Sequence, residues 1–142
     1  MTIENSVGTI SEEGAAGTAH MSRKRIVCGF CTPDYADWAK ALRVSLDAIG
    51  EPHDIVQVPK AAADWAGNTM AKPGHILSAM GRHPSKTVIF VDVDCEVRGG
   101  LQPLANLDCD VAFNMAAQTQ RGRGVWLRAR AGTIVINPTL GA

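Results

Sequence analysis

The sequence has no surplus of charge: 14 Lys and Arg stand against 14 Asp and Glu over 142 residues. A balanced chain exerts no overall pull on nucleic acid or on an anionic membrane, so any anion site has to be built locally. It also has no run approaching the roughly 20 apolar residues that a membrane-crossing helix requires, and its first residues lack the basic-then-apolar order of a secretion signal. Together these absences predict a cytoplasmic protein with no membrane span and no nucleic-acid partner. Cysteine is scarce. Cys28, Cys31, Cys95 and Cys109 sit among apolar neighbours, which fits free thiols in a reducing compartment better than a disulfide framework. There is no internal repeat, and none of His20, His53, His75 or His83 lies downstream of Asp92-Val93-Asp94.

What is present suits one compact domain. A chain that is 46% hydrophobic and 20% charged buries one sizeable core at this length and not two. Residues 1–22 are rich in Gly, Ser, Thr, Ala and Glu. Without a sustained apolar period they are expected to form a disordered tail ahead of a domain at 23–142. Met21 directly precedes Ser22-Arg23-Lys24-Arg25, which makes it a candidate start of the folded domain or of translation.

From Arg25 onward, strand and helix patterns alternate. Ile26-Val27-Cys28-Gly29-Phe30 reads as a buried parallel strand. Thr32-Pro33-Asp34 then supplies an N-cap oxygen, a proline at the first helical position and an acid in the positive first turn. Tyr35, Trp38, Leu42, Leu46 and Ile49 recur at helical steps as one apolar face, with Trp38 expected in the core and Gly50 as the stop. A second strand at 53–58 ends at Pro59. A looser segment through Trp65 and Asn68 leads to Lys72-Pro73 and a short helix carrying Ile76, Leu77 and Met80, stopped by Gly81. Thr87-Val88-Ile89-Phe90-Val91 is the strongest strand, β-branched and fully apolar. Val111-Ala112-Phe113 and Thr133-Ile134-Val135-Ile136 follow, the second closed by Asn137-Pro138. The alternation predicts an α/β fold, Rossmann-like, with a largely parallel sheet and helices on both faces. Arg121, Arg123, Arg128 and Arg130 around Trp126 form a basic aromatic patch, read as a phosphate- or glycan-meeting surface or as a charged loop or edge strand.

The chemistry centres on Asp92-Val93-Asp94, at the carboxyl end of the strongest strand, where open α/β sheets place their ligand crevice. In an extended segment Asp92 and Asp94 face the same way and can address one ion. A hard cation, Mn²⁺ or Mg²⁺, suits one or two carboxylates with waters and phosphate oxygens completing the shell. Two neighbouring carboxylates without a cation repel each other unless exposed. A D-x-D taken alone is a weak signal, because acids often end strands for solubility.

The order of motifs resembles the nucleotide-binding part of glycogenin-like and related GT-A glycosyltransferases. Phe30-Cys31-Thr32-Pro33-Asp34-Tyr35-Ala36 is similar to their turn into the first helix, Asp92-Val93-Asp94 to their D-x-D, and Ala131-Gly132-Thr133-Ile134-Val135-Ile136-Asn137-Pro138 to their later Gly-hydrophobic-Asn-Pro strand. The resemblance spans about residues 25–138 and implies a GT-A type fold and transfer of a sugar from a nucleoside-diphosphate donor to a glycan or protein acceptor. By it Thr32 and Tyr35 address the nucleoside, Lys72 the phosphates, Asp92 and Val93 the nucleotide, and Asp92 and Asp94 the metal. Two departures stand out. Ala131 replaces a polar residue before the glycine, and a GT-A domain continues for roughly another hundred residues. That continuation usually brings the acceptor pocket and often a histidine ligand, so a truncated domain is expected. Its open sheet predicts self-association as a homo-oligomer.

Other chemistries remain open at the level of sequence. Cys28-Gly29-Phe30-Cys31 between strand and helix invites a thioredoxin-like redox reading, although Cys28 falls inside the strand. A four-cysteine zinc site lacks a second close pair. A haloacid-dehalogenase-like phosphatase would use Asp92 as nucleophile and Asp94 as general acid, but that family places its D-x-D on the first strand. A non-catalytic nucleotide-binding module is the third alternative.

Overall fold

The computed structural model describes residues 22–60, 65–120 and 124–139. The expected tail at 1–22, but for Ser22, and the candidate start at Met21 lie outside the described residues, as do Arg121 and Arg123 of the basic patch. The elements run β1 (Arg25–Cys31), α1 (Ala36–Ala48), β2 (His53–Gln57), α2 (Trp65–Met70), α3 (Lys72–Arg82), β3 (Thr87–Val91), α4 (Gln102–Ala105), β4 (Val111–Gln120) and β5 (Gly124–Ile136). The strands form one five-stranded sheet in the order β2-β1-β3-β5-β4.

β1 is parallel to both β2 and β3, whereas β5 is antiparallel to β3 and to β4. Four strands therefore share one direction and β5, inserted between β3 and β4, opposes them. The reason is local. The link from Gln120 to Gly124 is far too short for a crossover, so the strand after β4 has to return antiparallel.

Helices cover both faces, as an α/β sheet requires. Ala39, Leu42 and Leu46 of α1 pack with Val27, Ile89, Val91 and Val135, joined by Leu101 and Leu104. On the other face Ala79, Ile76 and Met80 of α3 meet Cys28, Val88, Phe90 and Ile134. With both faces covered, β3 is buried at every position, which is why its sequence is an unbroken apolar run.

The start of α1 differs from the sequence expectation. Residues Pro33–Tyr35 form a 3-10 turn, and the extended Thr32 ahead of it makes no side-chain cap. Its hydroxyl instead donates to Asp34 Oδ1 at 2.6 Å. Trp38 is exposed, not in the core, because the buried stripe is centred on Ala39, Leu42 and Leu46 and Trp38 falls on its flank. The C-terminal stop is as expected. Gly50 adopts φ 68°, and the N–H groups of Gly50 and Glu51 return to the carbonyls of Asp47 and Leu46, the arrangement that favours glycine after a helix.

Beyond an irregularity between Phe113 and Asn114, β4 and β5 continue as a two-stranded ribbon on which Met115, Val125 and Leu127 are exposed. Arg128 and Arg130 are exposed there as well. Among the described residues no helix is long and apolar enough to cross a membrane.

Candidate functional site

The chain leaves β1 through α1 to reach β2 on one side, and returns through α2 and α3 to β3 on the other side of β1. The two crossovers pack on opposite faces. Between the carboxyl ends of β1 and β3 they diverge, and an open α/β sheet leaves its crevice at such a point.

A cleft of about 260 Å³ lies there, lined by Phe30, Cys31, Thr32 and Tyr35 after β1, Asn68 and Thr69 of α2, Lys72 at the start of α3, and Val91 to Asp94 after β3. Thr32, Tyr35, Lys72, Asp92, Val93 and Asp94, drawn from three separate segments, thus border one space. On sequence alone neither Asn68 nor Thr69 is assigned a role at a site. The segment before α3 carries no apolar period, and which of its polar residues faces the cleft depends on how the crossover packs.

The D-x-D segment is not extended. β3 ends at Val91, and the Cys95 N–H donates to the Asp92 carbonyl at 3.2 Å, closing a turn over Asp92 to Cys95. The alternation argument for two carboxylates facing one way therefore does not apply; they share the cleft because the turn curls beside it. Val93 is buried under the turn, Asp92 is half-buried and Asp94 is exposed. The Asp92 backbone N–H donates to the Gly132 carbonyl at 2.9 Å, which ties the turn to β5.

Lys72 reaches across the cleft. Its Nζ lies 2.5 Å from Asp92 Oδ1 and 3.2 Å from the Ala131 carbonyl oxygen, with the side chain only 16% exposed. The position at which Ala131 departs from the resembled pattern thus contributes through its backbone oxygen. A Cβ on Gly29 would come within 2.9 Å of the Val91 carbonyl oxygen, so glycine there lets β1 lie close against the end of β3, whereas one on Gly132 would only make ordinary contact with Asp92 Oδ2, at 3.4 Å. Asp94 enters none of the ion pairs among the described residues. Asp92 and Asp94, both lining the cleft, are a donor set that fits a hard divalent cation.

Thr32 is buried and Tyr35 is 40% exposed, so the cleft offers an aromatic surface at one wall. Asp34 bridges Thr32 to Lys60, whose Nζ lies 2.9 Å from Asp34 Oδ2. The Thr32 hydroxyl foremost, and then Lys60, hold the Asp34 carboxyl below its usual range.

Other concentrations of reactive groups are built differently. All four cysteines are free. Burial, reinforced by the Asp54 charge, pushes the Cys28 thiol up to about 12. Burial also raises Cys31 despite the opposing charge of Arg43. Both belong to β1 itself and not to a helix start, so neither has the low-pKa surroundings of a redox thiol. Cys28, Asp54 and His83 hold ligand atoms within 4.8 Å of one another. There, however, Arg82 Nε and His83 Nε2 each lie 2.8 Å from Asp54 Oδ2, so a guanidinium already supplies the positive charge. Burial raises Asp54, but the His83 and Arg82 hydrogen bonds outweigh it and leave the group low. A wider hollow of about 430 Å³ lies by Met80, His83, Lys86, Val88, Ile136 and Pro138. It carries no carboxylate to hold a cation.

No protein-family model matches this chain, and no curated protein matches it. Two solved structures of the glycosyltransferase GlyE from Streptococcus pneumoniae TIGR4, one of them the apo form, are similar to it at 18% identity. The likeness covers 81% of this chain and 34% of theirs, with TM-scores of 0.43 and 0.44. The chain therefore spans about a third of the length of those proteins, at a distance too great to assign it to a family.

Proposed function

We propose that the cleft between β1 and β3 binds a nucleoside-diphosphate sugar together with a divalent cation, Mn²⁺ or Mg²⁺, and that the domain serves a metal-dependent glycosyltransferase. The observation that carries this reading is convergence. A carboxylate pair, a lysine, a buried threonine hydroxyl and an exposed tyrosine ring, contributed by segments far apart in sequence, border a single cleft at the sheet's switch point. The order of motifs, which resembles that of glycogenin-like enzymes, adds to it.

In this arrangement Tyr35 supplies an aromatic face for the base, and Thr32, whose hydroxyl hydrogen is held by Asp34, offers an acceptor lone pair beside it. Asp92 and Asp94 hold the cation. Lys72 is a point charge suited to a phosphate oxygen. When bound, the metal would neutralise charge on the departing diphosphate while the sugar becomes oxocarbenium-like. The acceptor, a glycan or a protein, is to be found by assay.

Calorimetric titration with Mn²⁺ and a panel of nucleoside diphosphates tests the reading. The expected result is metal-dependent binding of at least one of them, lost in Asp94→Ala. Absence of any metal-dependent binding to the wild-type chain would overturn it. Metal-dependent binding of nucleotide-sugar donors with no release of nucleoside diphosphate in a parallel assay would identify a nucleotide-binding module instead.

A further inference from the structure

In the described structure the Asp92 carboxylate already has a cation. Lys72 Nζ sits 2.5 Å from Asp92 Oδ1, and its second contact, the Ala131 carbonyl oxygen at 3.2 Å, holds the ammonium in place. The pair is sheltered, with side chains 16% and 38% exposed, so solvent screens it less than a surface pair. A divalent cation brought to Asp92 alone would meet the ammonium within a few ångströms, and like charges at that range repel strongly outside bulk water. A diphosphate changes the balance. Its oxygens give Lys72 a new partner and give the cation the ligands that two carboxylates cannot supply.

We infer that Lys72 is an internal lock on Asp92: it opposes binding of the bare metal, and it is released to the phosphates when metal and diphosphate arrive together. This rests on the metal-dependent reading above and deepens it, because it makes the cation and the diphosphate positively coupled ligands. The lysine therefore acts at two addresses. In the free protein it neutralises Asp92, and in the loaded cleft it neutralises phosphate. Its flexible stem at the first position of α3 suits a group that changes partner. A free protein locked in this way holds the metal less tightly than it does once its diphosphate is present.

The test uses Mn²⁺ alone, followed by the electron paramagnetic resonance signal of the free ion. Wild type, Lys72→Met, Lys72→Gln and Lys72→Arg are compared, with folding checked by circular dichroism. The expected result is that both charge-removing variants bind Mn²⁺ more tightly than wild type, by about fivefold or more, while Lys72→Arg stays close to wild type. Mn²⁺ binding to wild type that is unchanged or weakened on removing the lysine charge overturns the lock and leaves the metal site standing. Failure of every protein to bind Mn²⁺ at millimolar concentration, with and without a nucleoside diphosphate, sinks the metal-dependent reading itself. Two variants without charge guard against one of them folding poorly.

Discussion

Asn137 is fully buried, and each of its polar atoms has work inside the protein. Its Oδ1 accepts from the Thr87 hydroxyl at 2.7 Å, and its Nδ2 donates to the carbonyls of Leu107 and Cys109 at 3.0 and 2.6 Å. The residue stitches the end of β5 to the start of β3 and to the segment before β4. Truncation strands a buried hydroxyl and two carbonyls, each costing about 1–3 kcal/mol when left without a partner. Asn137→Ala is therefore expected to lose roughly 3 kcal/mol in urea unfolding with little change in cleft geometry. A loss below half a kilocalorie would show that water replaces the side chain. In the sequence this asparagine is visible as the polar half of an Asn-Pro strand stop and as part of the Gly-hydrophobic-Asn-Pro resemblance, neither of which signals its burial. Its burial comes from segments that meet it across the fold, which no local pattern encodes. The same limit applies to Trp38, whose spacing fits the helical face but whose place on the edge of the stripe depends on where the 3-10 turn hands over to α1.

Arg25 opens β1, and Glu51 opens the approach to β2; their side chains meet at 2.7 Å, with that of Glu51 only 1% exposed. Glu51 also accepts the Leu101 N–H at 2.9 Å, so one carboxylate joins two strands to the entry of α4. Burial pushes the Glu51 carboxyl up, yet the Arg25 hydrogen bond and the Leu101 N–H outweigh it and hold it below the ordinary 4.5. A carboxyl with a depressed folded pKa contributes stability that is fully present above its unfolded value and is lost as pH falls through the folded one. Wild type should therefore lose stability steadily below about pH 4.5. Glu51→Gln should start lower at neutral pH and change less with acid, and Arg25→Ala, which leaves the carboxylate buried without its partner, should cost about 3 kcal/mol. Parallel pH slopes for wild type and Glu51→Gln would refute the assignment. Elements of this kind were unevenly legible. β3 and the Gly50 stop could be read directly, because burial on both faces and a positive φ each leave an unambiguous residue type. The length of β4 and β5 could not, since beyond Phe113 they pair only with each other and Asn114, Met115, Ala117, Gln118 and Thr119 are exposed, so no core imposes alternation there.

At the scale of the molecule the cleft is a joint between two crossovers on opposite faces of the sheet. Its position was legible, because an apolar strand ending in acids marks the carboxyl edge and the order of motifs supplies the other wall. The Lys72 to Asp92 contact was not, because it depends on how α3 packs across β1. A ligand that touches the turn after β1, the start of α3 and the turn after β3 ties both crossovers to the sheet, and it binds only when all three are in place. Linkage then requires it to stabilise the whole fold, by about 2.7 kcal/mol at roughly a hundredfold excess over its Kd. For a domain of this size that is a rise in Tm on the order of 10 °C. The rise is expected with Mn²⁺ and nucleoside diphosphate together, to be small with either alone, and to vanish in Asp94→Ala. Differential scanning calorimetry reads all four conditions. An equal rise from the nucleotide without metal would mean that the cleft grips base and phosphate through Tyr35, Thr32 and Lys72 alone, with the two carboxylates as bystanders.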